Sequence, residues 1–216
     1  MPVPQFMIFE GGDGSGKTSL LDRTEAFIRK NDPKVNLRKA WFPGKDPETI
    51  GGLIYEIHHG RLKGTRKPDE VALQILHMAA HVDQARSTLL PHLKAGGHLL
   101  LDRSWWSTYA YSRRYAGLSA DASWELVQTE RPFWTEGPAA VFFFLRREQS
   151  LKPDESNQET HRALLGYYQE VIDRQRAEGV VVHVIDNNGT EEQAFNQIQA
   201  ILGGGPHDQH SSKLSQ

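Results

Sequence analysis

The chain has 216 residues, with 25 basic and 27 acidic side chains, a formal net charge of −2 and no cysteine. This length suits one domain or a domain with a small insertion, and the lack of cysteine excludes disulfide bonds and thiolate metal sites. The balanced charge argues against bulk electrostatic binding to nucleic acid or anionic membranes, and no apolar run approaches the roughly 20 residues of a membrane span. We therefore expect a cytoplasmic protein that binds neither.

Short apolar runs alternate with longer helical patterns along the chain, which is typical of an α/β fold with a parallel sheet. Most of these runs are continuously apolar, as in strands that are buried on both faces. The predicted strands are residues 5–10, 36–42, 98–102, 140–145 and 180–186. The clearest predicted helices are residues 69–94, 158–178 and 191–202. Thr190 and Gln193 have the spacing of a reciprocal helix cap.

The segment GGDGSGKTS, residues 11–19, follows the first predicted strand and precedes a helical pattern. It contains the pattern G-x-x-x-x-G-K-[ST] of a phosphate-binding loop. In such a loop the backbone N–H groups surround phosphate oxygens. The lysine reaches the β- and γ-phosphates, and the threonine hydroxyl ligates Mg²⁺. The predicted nucleotide-binding residues are Gly11, Gly12, Asp13, Gly14, Ser15, Gly16, Lys17, Thr18 and Ser19.

The stretch LLLDRSWWSTYAYS, residues 99–112, is the second segment with chemical character. Asp102 ends an apolar strand, where a carboxylate can hold the ligand shell of Mg²⁺ or accept a hydroxyl proton. Arg103 beside it can form a forked contact with a phosphate. Such a pair also occurs as a structural ion pair, but the phosphate-binding loop in the same chain favours a catalytic role. Trp105 and Trp106 could line an acceptor pocket, with one of the two in the core.

Together these segments resemble the thymidylate kinase family of P-loop nucleoside monophosphate kinases. The resemblance rests on FEGGDGSGKT, DRSWWSTYAY and GYYQEVIDRQRAEGVVVHVIDNNGTEEQAFNQI, in the order and spacing of the family, and covers nearly residues 5–202. It implies a P-loop NTPase fold with a five-stranded parallel sheet flanked by helices. It also implies ATP with Mg²⁺ as the phosphate donor, a nucleoside monophosphate as the acceptor, and a homodimer through packed helices that include residues 69–94.

Matching positions imply roles for individual residues. Asp13 matches an acidic residue near the 3′-hydroxyl of the acceptor, and Arg103 matches the arginine that grips the acceptor phosphate. The implied metal ligands are Thr18 and Asp102. The other positions that match the acceptor site are Phe42, Pro43, Ser107 and Tyr111. The implied catalytic residues are Lys17, Asp102, Arg103 and a lid arginine, which is Arg146 or Arg147 and which we assign to Arg147.

Two segments are predicted to be mobile. The polar stretch RREQSLKPDESNQ, residues 146–158, follows a strand and precedes a helix, so it is a candidate lid. Residues 204–216 lack apolar periodicity and are expected to form a disordered tail. A single kinase domain is thus predicted for residues 1–203.

The part of the pattern that contacts the acceptor base departs from the family. Trp41 stands where the family usually has arginine, and His77 and His81 stand where it has phenylalanine and arginine in the long helix. We assign all three to substrate binding, and the altered residues are those that would distinguish one base from another. The spacing of His77 and His81 would also suit a metal ion, although no third ligand is evident.

The predicted reaction is Mg-dependent transfer of the γ-phosphoryl group of ATP to a deoxynucleoside monophosphate, giving the diphosphate. A deoxynucleoside kinase is the main alternative, because Asp102-Arg103-Ser104 is similar to its ERS motif, but WFPGKDPE places no glutamate directly after the second strand. A kinase of a modified nucleotide also fits the altered pocket. A GTP-dependent switch is disfavoured because the chain contains no Asn-Lys-x-Asp motif.

Overall fold

The computed structural model describes residues 3–61, 66–149 and 155–203, and within them five parallel strands form one sheet. The strands are β1 Phe6–Glu10, β2 Leu37–Trp41, β3 His98–Asp102, β4 Ala140–Arg146 and β5 Val181–Asp186. Their order across the sheet is β2-β3-β1-β4-β5, and every pairing is parallel. The predicted five-stranded parallel α/β sheet is therefore confirmed, and each predicted strand ends within one residue of the observed one.

The strands with continuous apolar sequences are covered by helices on both faces. The helices are α1 Lys17–Asn31, α2 Ile50–His58, α3 Glu70–Gln84, α4 Leu90–Lys94, α5 Trp105–Tyr115, α6 Ala120–Val127, α7 Arg131–Trp134, α8 Glu155–Ala177 and α9 Glu191–Leu202. Phe6 and Ile8 of β1 pack in a core formed with α3, α5 and α8, whereas Met7 and Phe9 pack in a core formed with α1 and α9. Since side chains alternate along a strand, a strand between two helical layers needs apolar residues at every position.

The two adjacent tryptophans of α5 both belong to the core. Trp105 and Trp106 are buried, and the Trp106 ring stacks on Phe142 with centroids 4.3 Å apart. The suggestion that one of them lines an acceptor pocket is therefore wrong. The predicted cap of α9 is confirmed, because Gln193 N donates to Thr190 Oγ1 while Thr190 N donates to Gln193 Oε1.

The helix predicted for residues 69–94 is interrupted by a π-helical turn, Ala85–Leu89, which separates α3 from α4. Pro91 lies in the first turn of α4. In a regular α-helix its ring would clash with the carbonyl of Ser87, four residues earlier, and its nitrogen could not donate to that carbonyl. A local widening of the hydrogen-bond ladder relieves this clash, so the proline is the physical reason for the interruption.

Three neighbouring strands bring the predicted motifs together at the edge of the sheet where the strands have their carboxyl ends. β1 leads into the phosphate-binding loop, β3 ends at Asp102 and β4 ends at Arg146. Arg103 N donates to Phe9 O at 2.9 Å, which fixes the end of β3 beside the end of β1. In parallel α/β sheets ligands bind beyond the carboxyl ends of the strands, so this edge is the place to search for a site.

Some predicted features lie outside the described residues. The proposed tail, residues 204–216, is outside them, as are residues 150–154 at the centre of the proposed lid. Within the described ranges, no helix combines the length and the apolar character that crossing a membrane requires.

The turn after β2 is held by close contact with the first turn of α2. A Cβ atom on Gly51 would lie 1.7 Å from Pro43 O, so the backbone of the turn rests directly on this glycine. Pro43 follows Phe42 through a cis peptide bond. Only a residue without a side chain permits this approach of the two backbones.

We expect Gly51→Ala to lower the free energy of unfolding by about 1–3 kcal/mol, because the added methyl group forces the turn away from α2. Gly166→Ala is the matched control, since Gly166 lies in α8 with no atom within 4 Å of an added Cβ. That change should instead stabilise the protein by about 0.4–1 kcal/mol. Urea unfolding measures both values, and equal effects of the two substitutions would contradict the packing argument.

Candidate active site

The phosphate-binding loop between β1 and α1 depends on a contact with the residue that follows β5. Gly16 has φ 86°, and a Cβ atom on it would lie 2.7 Å from Asn187 Nδ2. Asn187 is buried after β5, and its Nδ2 donates to Ser15 O. A glycine is needed here both for the left-handed backbone and for the approach of the amide.

Lys17 lies inside this loop. Its Nζ donates to Gly11 O at 2.8 Å and to Gly12 O at 2.9 Å. Burial, followed by the nearby charge of Arg103, lowers the pKa of Lys17 to about 8. Ser15 Oγ is also buried in the loop and has no hydrogen-bond partner among the described residues. The loop therefore presents an ammonium group and an unpaired hydroxyl, which suit phosphate oxygens.

Thr18 and Asp102 form an oxygen pair at the start of α1. Thr18 Oγ1 donates to Asp102 Oδ2 at 3.3 Å. The other carboxylate oxygen, Oδ1, is buried and lacks a hydrogen-bond partner in the described part of the chain. Hydroxyl and carboxylate oxygens are the ligands that Mg²⁺ prefers, and the unpaired oxygen is free to take part, so this pair fits a magnesium ion.

Arg103 stands between the loop and a neighbouring cavity. Among the described residues it is the only one other than glycine with a positive φ, at 73°. Its Nη1 donates to Ser107 Oγ at 2.9 Å and to Gly11 O at 3.3 Å, and its Nη2 donates to Asp13 Oδ1. Its guanidinium carbon lies 5.5 Å from the centre of the Tyr111 ring. The unusual backbone therefore turns the arginine back over the loop, and strained residues of this kind cluster at functional sites.

A buried carboxylate that the sequence analysis did not select supports Arg103. Glu10, the last residue of β1, accepts hydrogen bonds from Ser104 N at 2.6 Å, Ser104 Oγ at 2.7 Å and Ser107 Oγ at 2.8 Å. Tyr168 OH of α8 lies 2.9 Å from the same Ser107 oxygen. Burial raises the pKa of Glu10, while the charge of Arg103, the two serine hydroxyls and Lys17 act in the opposite direction. The only sequence signal for this role is a carboxylate at the end of an otherwise apolar strand.

A cavity of about 600 Å³ opens beside Arg103 and lies between α2, α3 and α5. All predicted acceptor-site residues except Trp41 line it: Asp13, Phe42, Pro43, His77, His81, Arg103, Ser107 and Tyr111. Its size is within the range of sites for small molecules. The cavity and the phosphate-binding loop are thus adjacent, and Arg103 and Asp13 belong to both.

The two histidines of α3 have different partners. His81 is buried, its Nδ1 lies 2.7 Å from Glu130 Oε2, and its ring stacks on Phe42 with centroids 4.1 Å apart. His77 Nε2 instead lies 3.0 Å from His58 Nε2 of α2. Across the described ranges, no group of three or more histidine, cysteine, aspartate or glutamate side chains could hold a metal ion. The pair therefore shapes the cavity wall, and the described part of the chain gives the alternative metal interpretation no further ligand.

Trp41, Arg147 and Ser19, which are also predicted to belong to the site, have their contacts elsewhere. Trp41 is 42% exposed, lines a second cavity of about 320 Å³, and has Lys45 Nζ 5.9 Å from its ring. Arg147 Nη1 donates to Asn187 O at 2.8 Å, on the β5 side of the loop. Ser19 donates to Glu191 of α9. Their assigned roles in binding or catalysis stay predictions.

Comparison with known proteins agrees with this arrangement. The family model described as Thymidylate kinase matches residues 9–198. A thymidylate kinase of Halalkalibacterium halodurans is 29% identical in an alignment of 212 positions that covers 90% of this chain and 92% of the relative. A thymidylate kinase of Finegoldia magna is 27% identical, over 91% of this chain and 97% of its own length.

A solved structure shares the fold. The crystal structure of thymidylate kinase from Ehrlichia chaffeensis matches with a TM-score of 0.70 at 17% sequence identity, and covers 93% of this chain and 100% of its own. The P-loop NTPase fold implied by the sequence is therefore confirmed. The family match includes the phosphate-binding loop, the Asp102-Arg103 pair and the whole cavity wall. On this basis the chain belongs to the thymidylate kinase family.

Proposed function

We propose that this protein is a nucleoside monophosphate kinase that transfers the γ-phosphoryl group of Mg-ATP to a deoxynucleoside monophosphate. The reaction class follows from family membership and from curated relatives that align along most of the chain. The observation that carries the proposal is the position of Arg103. It contacts Gly11 O of the loop and also lines the cavity, so one guanidinium borders both the donor and the acceptor site.

The residues of the site act by positioning and by offsetting charge. Lys17 and the loop N–H groups would hold the donor phosphates, and Arg103 would hold the acceptor phosphate with its planar donor pair. Thr18 and Asp102 would hold Mg²⁺, which when bound offsets negative charge on the phosphate oxygens. Asp13 is paired with Arg103 and lines the cavity. Alignment of two reactants in one site supplies much of the catalysis in such reactions.

The charges around the cavity disfavour a deoxynucleoside kinase. That reaction needs a carboxylate to activate the sugar hydroxyl, whereas the carboxylates among the described cavity residues are Asp13 and Glu70. Asp13 is bound by Arg103, and Glu70 is bound by Lys67 at 2.6 Å. The arginine beside the loop instead suits an acceptor that already has a phosphate.

Phosphate transfer to a panel of acceptors tests this function. We expect ADP release from Mg-ATP with deoxynucleoside monophosphates and little with free deoxynucleosides. Lys17→Ala should slow the reaction by about 10²-fold or more, because it removes a cation that stabilises the transferred group. Activity on free nucleosides alone, or a fully active Lys17→Ala enzyme, would overturn the proposal.

We also propose a homodimer, supported by the exposed apolar face of α3. Ile75 is 52% exposed and lines a surface groove with Ala79 and Val82, one and two turns along the helix.

Sedimentation equilibrium should give twice the monomer mass for the wild-type protein. Ile75→Glu should lower the measured mass to that of the monomer, since a charge in an apolar contact is costly. Ala177→Glu, on the exposed end of α8, is the control. A monomeric wild-type protein would refute the assembly.

A third prediction of this subsection concerns the support of Arg103 by Glu10. We expect Glu10→Gln to raise the KM of the acceptor by about tenfold or more, because the amide no longer accepts the Ser107 proton or offsets the charge of Arg103. The groups that face Glu10 are Lys17, Arg103, Ser104, Ser107 and Tyr168. The KM of ATP should change less, since the donor loop keeps its own contacts.

The pH dependence distinguishes this role from a loss of structure. Burial raises the pKa of Glu10, so acidification protonates its carboxylate earlier than that of an exposed glutamate and should raise the acceptor KM. This acid-side rise should be smaller in Glu10→Gln, which has no carboxyl group to titrate there. Glu170→Gln on α8 serves as the control. An unchanged KM and pH profile in Glu10→Gln would contradict the proposed support.

A further inference from the structure

The wall that α3 contributes to the acceptor cavity contains an amide without a partner. Gln74 is 5% exposed and lines the cavity. No hydrogen bond joins its amide to any of the described residues, and the amide atoms are not among the fully buried atoms without a partner, so they reach the cavity. Buried polar side chains nearly always have hydrogen-bond partners. An amide that reaches a cavity and has no partner among the described residues is therefore available to a ligand that supplies both a donor and an acceptor.

The groups around Gln74 carry little net charge. His77 lies one turn further along α3 and faces His58, and burial lowers the pKa of His77 to about 3 and also lowers that of His58. Lys67 and Glu70 at this wall neutralise each other through their ion pair. Arg103, in contrast, lies beside the phosphate-binding loop. The cavity is thus polarised, with a site for a phosphate at Arg103 and a site for an uncharged ring at Gln74.

His81, the other polar group of this wall, is fixed in place. Its Nδ1 is engaged by Glu130, whose second oxygen accepts a hydrogen bond from Trp134 Nε1 at 2.7 Å. Its ring face is covered by Phe42, with the two planes only 13° apart. The imidazole can therefore neither rotate nor turn over to suit different ligands. Gln74 is the adaptable hydrogen-bonding group of the wall.

We propose that Gln74 forms hydrogen bonds with the edge of the acceptor base. The protein would then bind nucleotides whose base has either an oxo or an amino group at that edge. This inference rests on the proposed function. A glutamine amide has a donor and an acceptor whose places are exchanged by half a turn of the terminal group. Thymine presents O4 as an acceptor, whereas cytosine presents its N4 amino group as a donor. A guanidinium has donors only, so it would select the oxo bases alone.

The test measures kcat/KM for dTMP, dUMP, dCMP and dAMP with wild-type protein, Gln74→Leu and Gln74→Glu. For the wild type we expect dTMP and dCMP to differ by less than about tenfold, which corresponds to one hydrogen bond. Gln74→Leu should lower kcat/KM for both by about tenfold or more, with the KM of ATP unchanged. Gln74→Glu, which only accepts hydrogen bonds when ionised, should raise the dCMP to dTMP ratio by about tenfold or more.

Gln169→Leu is the matched control, because Gln169 lies on α8 outside the cavity and its amide nitrogen donates to Asp173. It should leave all four kcat/KM values unchanged. The melting temperature of each variant tests whether the fold is kept. Isothermal titration with dTMP and dCMP measures binding separately from turnover.

Three results would overturn the inference. Wild-type base preference in both Gln74 variants would show that the amide does not contact the base. A wild-type enzyme that prefers dTMP over dCMP by about 10³-fold or more would show that the amide has one fixed orientation. A wild-type protein that phosphorylates no nucleoside monophosphate would remove the proposed function itself, whatever the variants do.

Discussion

The carboxylate of Glu10 is the contact on which the rest of the active site depends. It accepts hydrogen bonds from the backbone N–H and the hydroxyl of Ser104, the residue that caps α5. These bonds join the end of β1 to the start of that helix. Arg103 precedes this cap, and its left-handed backbone is flanked by two hydrogen bonds, from its own N to Phe9 O and from Ser104 N to Glu10 Oε1. Two cations, the buried Lys17 and the partly buried Arg103, lie near the same carboxylate. The buried charge of Glu10 is tolerated because Ser104 and Ser107 donate hydrogen bonds to it and because these cations lie nearby.

From this contact the functional arrangement extends through the order of the strands. β1 lies between β3 and β4, so the loop that holds phosphate has the Asp102-Arg103 pair on one side and the start of the proposed lid on the other. The cavity that we propose for the acceptor lies on the side of β3 and is closed by α2 and α3. A kinase that binds two nucleotides needs a donor site and an acceptor site with a charged group between them. The parallel sheet allows this arrangement because the carboxyl ends of adjacent strands lie side by side.

The sequence was sufficient to predict the strands and the phosphate-binding loop, because both are encoded locally. An apolar run such as VFFFL indicates a buried strand by itself, and the spacing of Gly11, Gly16 and Lys17 indicates the loop by itself. The features that were missed depend on contacts between distant residues. Glu10 meets Ser104 across 94 positions, and His58 meets His77 only because α2 packs on α3. No pattern in the sequence indicated that both tryptophans of α5 would be buried, since that depends on the neighbouring strand β4 and on α6.

The bond from Asn187 Nδ2 to Ser15 O joins residues 172 positions apart. The phosphate-binding loop is therefore completed by a residue that is synthesised 172 positions after Ser15. A nascent chain that has reached only β4 contains every residue of the loop and the Asp102-Arg103 pair, but it lacks the amide that braces Ser15. The conformation of the loop is in this way coupled to completion of the sheet, and a chain that ends before β5 carries the loop sequence without the amide that braces it.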